Sequence, residues 1–166
     1  MAHNYRQIQD YYPLLKYPEK YVGSRPITTR SSWESKMIRN FFDADPSVKT
    51  WSSESIVIPY ISPKDNRKHR YYPDFWAQIE TPDGKLVEHI IEVKPDIQTR
   101  MPKAPKRVTK QYREKVMTFM INKSKWKSTI AYCSYLKEQK SRNISFKIIN
   151  EYDLGIKKRK VKKLNG

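Results

Sequence analysis

The sequence predicts one α/β domain with a mixed central sheet flanked by helices. Three observations carry that prediction. Apolar residues make up 37% of the 166 positions, enough for one core in a chain of this length. Apolar spacing changes along the chain from helical to strand-like and back. An Asp83-Gly84 pair stands between two apolar runs, the short-range signature of a hairpin.

Residues 1–30 are polar, aromatic and proline-punctuated, and read as an extended arm with turns. Its Tyr and Arg side chains suit either packing or contact with nucleic acid. In "SSWESKMIRNFFDADP", Trp33, Met37, Ile38 and Phe41 recur at helical spacing, so a helix is expected there. Ser31 is its N-cap, Glu34 falls at the third helical position, and Pro46 follows its end. "IVIPY" predicts a strand over residues 56–60, with Pro59 placing it at an edge or bend. "PKDNRKHR" reads as a charged turn. "YYPDFWAQIE" and "KLVEHIIEV" then form the two strands of the hairpin, which Pro95 ends.

A loop rich in proline and basic residues leads into "VTKQYREKVMTFMINKS". Val108, Tyr112, Val116 and Met120 repeat every four residues and predict a helix. A further helix is expected over "SKWKSTIAYCSYLKEQK", with Trp126, Ile130, Cys133 and Leu136 or Tyr135 inward. "ISFKIIN" reads as a last strand, and residues 156–166 as a basic tail. The order is helix, strand, hairpin, helix, helix, strand. One sheet with helices on its faces satisfies it.

The charge narrows the function. Lys and Arg number 34 against 17 Asp and Glu, a formal net charge of +17. Such a surface attracts a polyanion, first of all nucleic acid. The single cysteine, Cys133, excludes an internal disulfide and a multi-cysteine zinc cluster. Its apolar and aromatic neighbours predict a buried thiol. His3, His69 and His89 form no compact ligand motif. The longest apolar run is too short to cross a bilayer, and no apolar signal core opens the chain. An intracellular compartment or the inside of a particle is therefore expected.

Carboxylates oppose DNA binding in so basic a chain unless a cation covers them. Asp74 begins one hairpin strand, and Glu92 and Lys94 end the other. Two carboxylates supply hard oxygens for Mg²⁺, with the backbone carbonyl of Val93 as a further donor. Lys94, two residues beyond Glu92, points to the same side. There it can meet charge developing on a phosphoryl group. A simple two-residue turn at Asp83-Gly84 would set Asp74 opposite Val93, on the wrong face. The chemistry therefore requires either one extra residue in the turn, most simply with Gly84 left-handed, or Asp74 leaving the pleat just after Pro73 and swinging across. Glu34 fits a capping box with Ser31, or a third carboxylate reaching the site from the first helix. Glu54 either holds a nearby Arg or Lys or orients the site. Arg100, Lys103, Lys106, Arg107, Lys110, Gln111 and Arg113 form a candidate phosphate track.

"RSSWESKMIRNFF", "WSSESIVIPY", "YYPDFW" and "IIEVKP" together resemble the restriction-endonuclease-like superfamily. Its PD-(D/E)xK signature is Pro-Asp, then Asp or Glu, one residue, and Lys. The strings are most similar to the head completion nucleases of large tailed phages. They are also similar to the end-cutting endonuclease subunit of cut-and-paste transposons. The resemblance implies a nuclease domain over residues 31–155 with a restriction-endonuclease-like mixed sheet. It places Glu34, Asp74, Glu92 and Lys94 at the catalytic positions. It implies Mg²⁺, with Mn²⁺ as a substitute, and double-stranded DNA as substrate. The expected role is completion of filled phage heads, in the virion or host cytoplasm, beside head or portal proteins. A homodimer is expected if both strands are cut close together. Two other readings stand beside it: a non-catalytic DNA-binding plug at the head portal, and an RNA-associated module.

Overall fold

Register organises this fold. The protein is described over residues 7–160 in a computed structural model. Strands β1 (Val48–Ser53), β4 (Phe75–Glu80), β5 (Leu86–Val93) and β6 (Ile144–Ile149) form a central sheet in the order β1-β4-β5-β6. The β1–β4 and β4–β5 pairs are antiparallel, and β6 runs parallel to β5. The sheet is therefore mixed, as expected. Strands β2 (Ile58–Ser62) and β3 (Arg67–Tyr71) pair only with each other, as a separate two-stranded ribbon. Pro59 sits in this ribbon, where a strand tolerates proline.

The β4–β5 turn has the extra residue that the chemistry requires. Thr81 N–H donates to the Lys85 carbonyl and Gly84 N–H to the Thr81 carbonyl, each at 2.8 Å. Gly84 has φ +79°, a conformation that glycine adopts without a Cβ clash. Glu80 consequently faces Leu86, and Phe75 faces Ile91. One step further along the ladder sets Asp74 opposite Glu92.

Helix α1 (Ser32–Met37) starts on the predicted cap: Ser31 Oγ accepts the Glu34 N–H at 3.1 Å. It continues as a wider π-type turn over Ile38–Asp43. The wider turn shifts the inward face, so Phe42, not Phe41, is fully buried. Phe42 stacks on Trp51, with ring centroids 5.1 Å apart. Asp43 accepts the backbone N–H groups of Lys16 and Tyr17, both at 2.8 Å. In the segment read as an arm, Tyr11, Tyr21 and Ile27 join Trp51, Phe75, Ala77 and Ile91 in one core cluster. Packing thus claims these tyrosines.

Three elements differ from expectation. β3 is a strand where the sequence predicts a charged turn, because pairing with β2 holds it extended. β1 is hidden in the sequence because a bulge between Val48 and Thr50 breaks its alternation. The two late helices are one, α2, spanning 31 residues (Lys110–Lys140). No Gly or Pro interrupts it, so helix propagates through the polar Lys123-Ser124-Lys125 stretch. Thr109 caps its start, accepting the Tyr112 N–H at 3.1 Å. Its buried positions are Asn122, Trp126, Thr129, Cys133 and Leu136. Of the residues expected inward, Trp126, Cys133 and Leu136 are buried, whereas Ile130 is exposed; Val108 and Met120 of the four-residue repeat are exposed too. α2 packs on the sheet face opposite α1, around Ile90, Cys133, Leu136 and Ile144, and also carries the ribbon through Ile58, Tyr60 and Tyr71. Cys133 is buried, as expected. Among the described residues no helix is long and apolar enough to cross a membrane. His3 and tail residues 161–166 lie outside the described residues.

His89 lies in the middle of the sheet, its Nδ1 2.9 Å from Ser145 Oγ. Burial, aided by Lys147, pushes its pKa down from 6.5 to about 4. Below pH 6.5 the unfolded chain binds a proton that folded His89 refuses, so its contribution to stability is lost between pH 6.5 and 4. His89→Gln should flatten that limb. Denaturation midpoints at pH 7, 5.5 and 4 check this, and parallel curves for the two proteins would refute it.

Candidate active site

The ends of β4 and β5 bring the predicted trio together. Glu92 and Lys94 leave β5 on one side, and the Lys94 Nζ lies 3.0 Å from Glu92 Oε1. The other Glu92 oxygen accepts the Tyr71 hydroxyl at 2.5 Å. Both interactions hold a side chain that is only 5% exposed. Asp74 Oδ2 accepts the Val93 N–H at 2.7 Å, which ties the two strand ends across the hairpin. Part of Asp74 reaches solvent, yet protein packs densely around its carboxyl. Burial first, then the Glu92 charge, pushes its pKa well up. The Val93 N–H and Lys94 oppose that shift, and Glu34 adds to it. Desolvation and like charge thus outweigh the local donors.

Glu34 approaches from α1. It forms the capping box: Oε1 accepts the Ser31 hydroxyl at 2.8 Å and Oε2 accepts the Arg30 N–H at 2.9 Å. Its charge also acts on Asp74, so the side chain that serves the helix start lies within electrostatic reach of that carboxyl. Glu54 holds a nearby arginine, one of the two roles expected of it. Its carboxylate pairs with Arg30, and its N–H donates to the Asp74 carbonyl at 3.0 Å. It adopts φ +47°, an uncommon backbone for a non-glycine residue.

Three participants escaped the sequence reading. Tyr71 orients Glu92. Arg30 carries a positive charge that Glu54, Glu34 and Asp74 all favour. Lys125, half-buried on α2, has its ammonium 5.3 Å from the Tyr71 ring centre and 5.7 Å from that of Tyr60. Burial lowers its pKa, while Glu92 and Asp74 pull it up. Only "RYYPD" hinted at Tyr71, three residues before Asp74. Lys125 carries no local signal, because α2 delivers it from far along the chain.

Asp74 and Glu92 are chemically suited to a hard divalent cation: adjacent, oxygen-donating and mutually repulsive. Among the described residues, however, no group of three or more His, Cys, Asp and Glu side chains is arranged to hold a metal ion. Glu34 is committed to its cap and Glu92 to Lys94 and Tyr71. The predicted phosphate track is exposed from Arg100 through Arg113 apart from Pro102 and Tyr112. Within it Arg100 pairs with Asp96, and Lys110 lies 3.9 Å from Glu114.

Residues 45–151 match the family described as "TnsA-like endonuclease N terminal". The chain belongs to this family. It is a PD-(D/E)xK-like nuclease domain, and the family match contains Asp74, Glu92 and Lys94 but begins after Glu34. It is also 33% identical over 137 residues to the head completion nuclease of Enterobacteria phage T4, covering 80% of this chain and 84% of that protein. No solved structure matches the chain at a significant level. For a TnsA-like domain, the register of β4 against β5 accounts physically for two motif halves separated by a turn.

Asp74→Asn should raise the melting temperature in chelator. The substitution keeps an acceptor for the Val93 N–H and removes a buried charge beside Glu92. Each kcal/mol recovered corresponds to about 2–4 °C in a domain of this size. A scanning melt at pH 7 reads the shift, and an unchanged or lower midpoint would contradict the like-charge account.

Proposed function

We propose that the protein is a Mg²⁺-dependent DNA endonuclease acting in phage head completion after DNA packaging. The observation that carries this reading is the meeting of Asp74, Glu92 and Lys94 at one sheet end, in a chain of formal net charge +17. The kinship with a head completion nuclease supports the biological setting. That setting is the virion or host cytoplasm, beside head and portal proteins, with a homodimer able to cut both strands. Transposon-end cleavage is the second reading, favoured by the family match.

Asp74, Glu92, Glu34 and the Val93 carbonyl are the proposed cation ligands. When bound, Mg²⁺ would supply Lewis acidity and lower the pKa of a water. Mn²⁺ is the proposed substitute. Lys94 holds Glu92 through Oε1, and its ammonium is placed to meet negative charge on the phosphoryl group. Tyr71 fixes the other Glu92 oxygen and limits rotation of the carboxylate. The Val93 N–H does the same for Asp74. Arg100, Lys103, Lys106, Arg107, Lys110, Gln111 and Arg113 are proposed to position the duplex through its backbone, without reading sequence.

Plasmid cleavage with Mg²⁺ tests this. Asp74→Ala should lose at least 100-fold in rate, on the order expected for a metal-site carboxylate, while duplex binding in chelator persists. Equal cleavage by both proteins would place the chemistry elsewhere. Glu34→Gln separates cap from catalysis. It retains an acceptor for the cap, so the melting temperature should hold, while cleavage falls steeply. Full cleavage by this variant would confine Glu34 to its cap.

A further inference from the structure

The charged stretch Lys64–Arg70 belongs to a built element, not to a turn alone. Its turn residues lead directly into β3 (Arg67–Tyr71). Every residue from Pro63 to Arg70 is exposed. Pairing sets Pro59 against Arg70, Ile61 against Lys68 and Ser62 against Arg67. Alternation then gives the ribbon two faces. One turns Ile58, Tyr60 and Tyr71 toward α2, where Ser124 Oγ also donates to the Ile61 carbonyl at 2.7 Å. The other presents Pro59, Ile61, Lys68 and Arg70 outward, with Ile61 52% exposed.

The cations here are free of partners. Among the described residues Lys64, Arg67, Lys68 and Arg70 form no salt bridge, and Asp65 is taken by His69 at 2.9 Å. Part of the phosphate track is already neutralised by Asp96 and Glu114. Position adds to charge. Arg70 precedes Tyr71, whose hydroxyl holds Glu92, so the ribbon runs outward from the active site. Lys68 and Arg70, two residues apart on one face, stand about 6.8 Å apart, about two of the 3.4 Å steps at which one DNA strand presents phosphates along the duplex axis. Two-stranded ribbons of this width fit the major groove.

We propose that the β2–β3 ribbon is a duplex-DNA clamp, in which Lys68 and Arg70, on its outward face, contact phosphates and hold the duplex against the site. This rests on the DNA-substrate reading above and names the element that grips the substrate. An acidic protein partner is the competing occupant.

Binding of a labelled 30-base-pair duplex to the full-length protein, in chelator and across a salt series, tests the clamp. The Lys68→Gln, Arg70→Gln variant should bind roughly 10-fold more weakly at low salt. Its log–log salt slope should fall by about two, one for each lost phosphate contact. A control removes equal charge from the exposed face of α2: Lys127→Gln, Lys137→Gln. It should keep a slope near that of the unaltered protein. A second variant, Arg70→Lys with Lys68 kept, preserves the charge and should restore most of the affinity, which separates lost contacts from a misfolded ribbon. Equal affinity and slope for the ribbon and control variants would overturn the clamp, as would failure of the lysine variant to restore binding. The nuclease reading fails on a different result, cleavage by Asp74→Ala, so the two failures are distinguishable.

Discussion

The register between β4 and β5 is the constraint on which the rest depends. A two-residue turn would shift every residue of β4 to the opposite face relative to β5. Asp74 would leave Glu92, but that is the smaller loss. Phe75 and Ala77 would also leave the core they share with Trp51 and Ile91, while Trp76 would leave the α2 side. Burial of each large apolar side chain contributes about 1.5–3 kcal/mol. Hydrophobic packing on both faces of the sheet therefore enforces the polar geometry at its end. Gly84 makes that register accessible, and the core makes it obligatory.

Held in that register, the site is electrostatically expensive. Glu92 is buried with both oxygens occupied, by Lys94 and Tyr71. The Asp74 carboxylate has the Val93 N–H as its one hydrogen-bond donor among the described residues. The surrounding structure compensates from three directions. Arg30 arrives from the N-terminal segment, locked to Glu54. Lys125 arrives from α2 across the Tyr60 and Tyr71 rings. Glu54 secures the Asp74 backbone. Interactions of this kind preorganise a reactive constellation at a cost in stability.

What the sequence disclosed follows the range of each interaction. Ser31 and Glu34 are close in sequence, and their capping box was legible. The hairpin was legible too, down to the left-handed Gly84, because turn chemistry and strand alternation combine over a few residues. The bulge in β1 erased a period-two pattern, so Trp51 was visible as a core residue while its strand was not. α2 was divided because a polar stretch resembled a break, although no residue there opposes helix. β3 looked like a turn because neither face of Arg67–Arg70 is apolar; its pairing with β2 depends on tertiary support from α2. Arg30 and Lys125 reach the acids only through folding, and no local pattern marks them.

Glu88 shows why mere burial of acids does not define the site. It lies on β5, on the same face as Glu92, and is also part-buried. It accepts the Trp76 indole N–H and the Arg142 Nε, each at 2.9 Å. Arg142 accordingly holds its pKa below the usual carboxylate range. Four residues along the same strand, beside Glu92, the balance reverses: burial first, then the Glu92 charge, raises the Asp74 pKa against the Val93 N–H and Lys94. Glu88 is a matched structural anion, whereas the strand end accumulates negative charge. Just across Tyr71, the ribbon accumulates positive charge without acidic partners. The fold places the two imbalances on either side of one tyrosine, an adjacency that the total charge of the chain does not reveal.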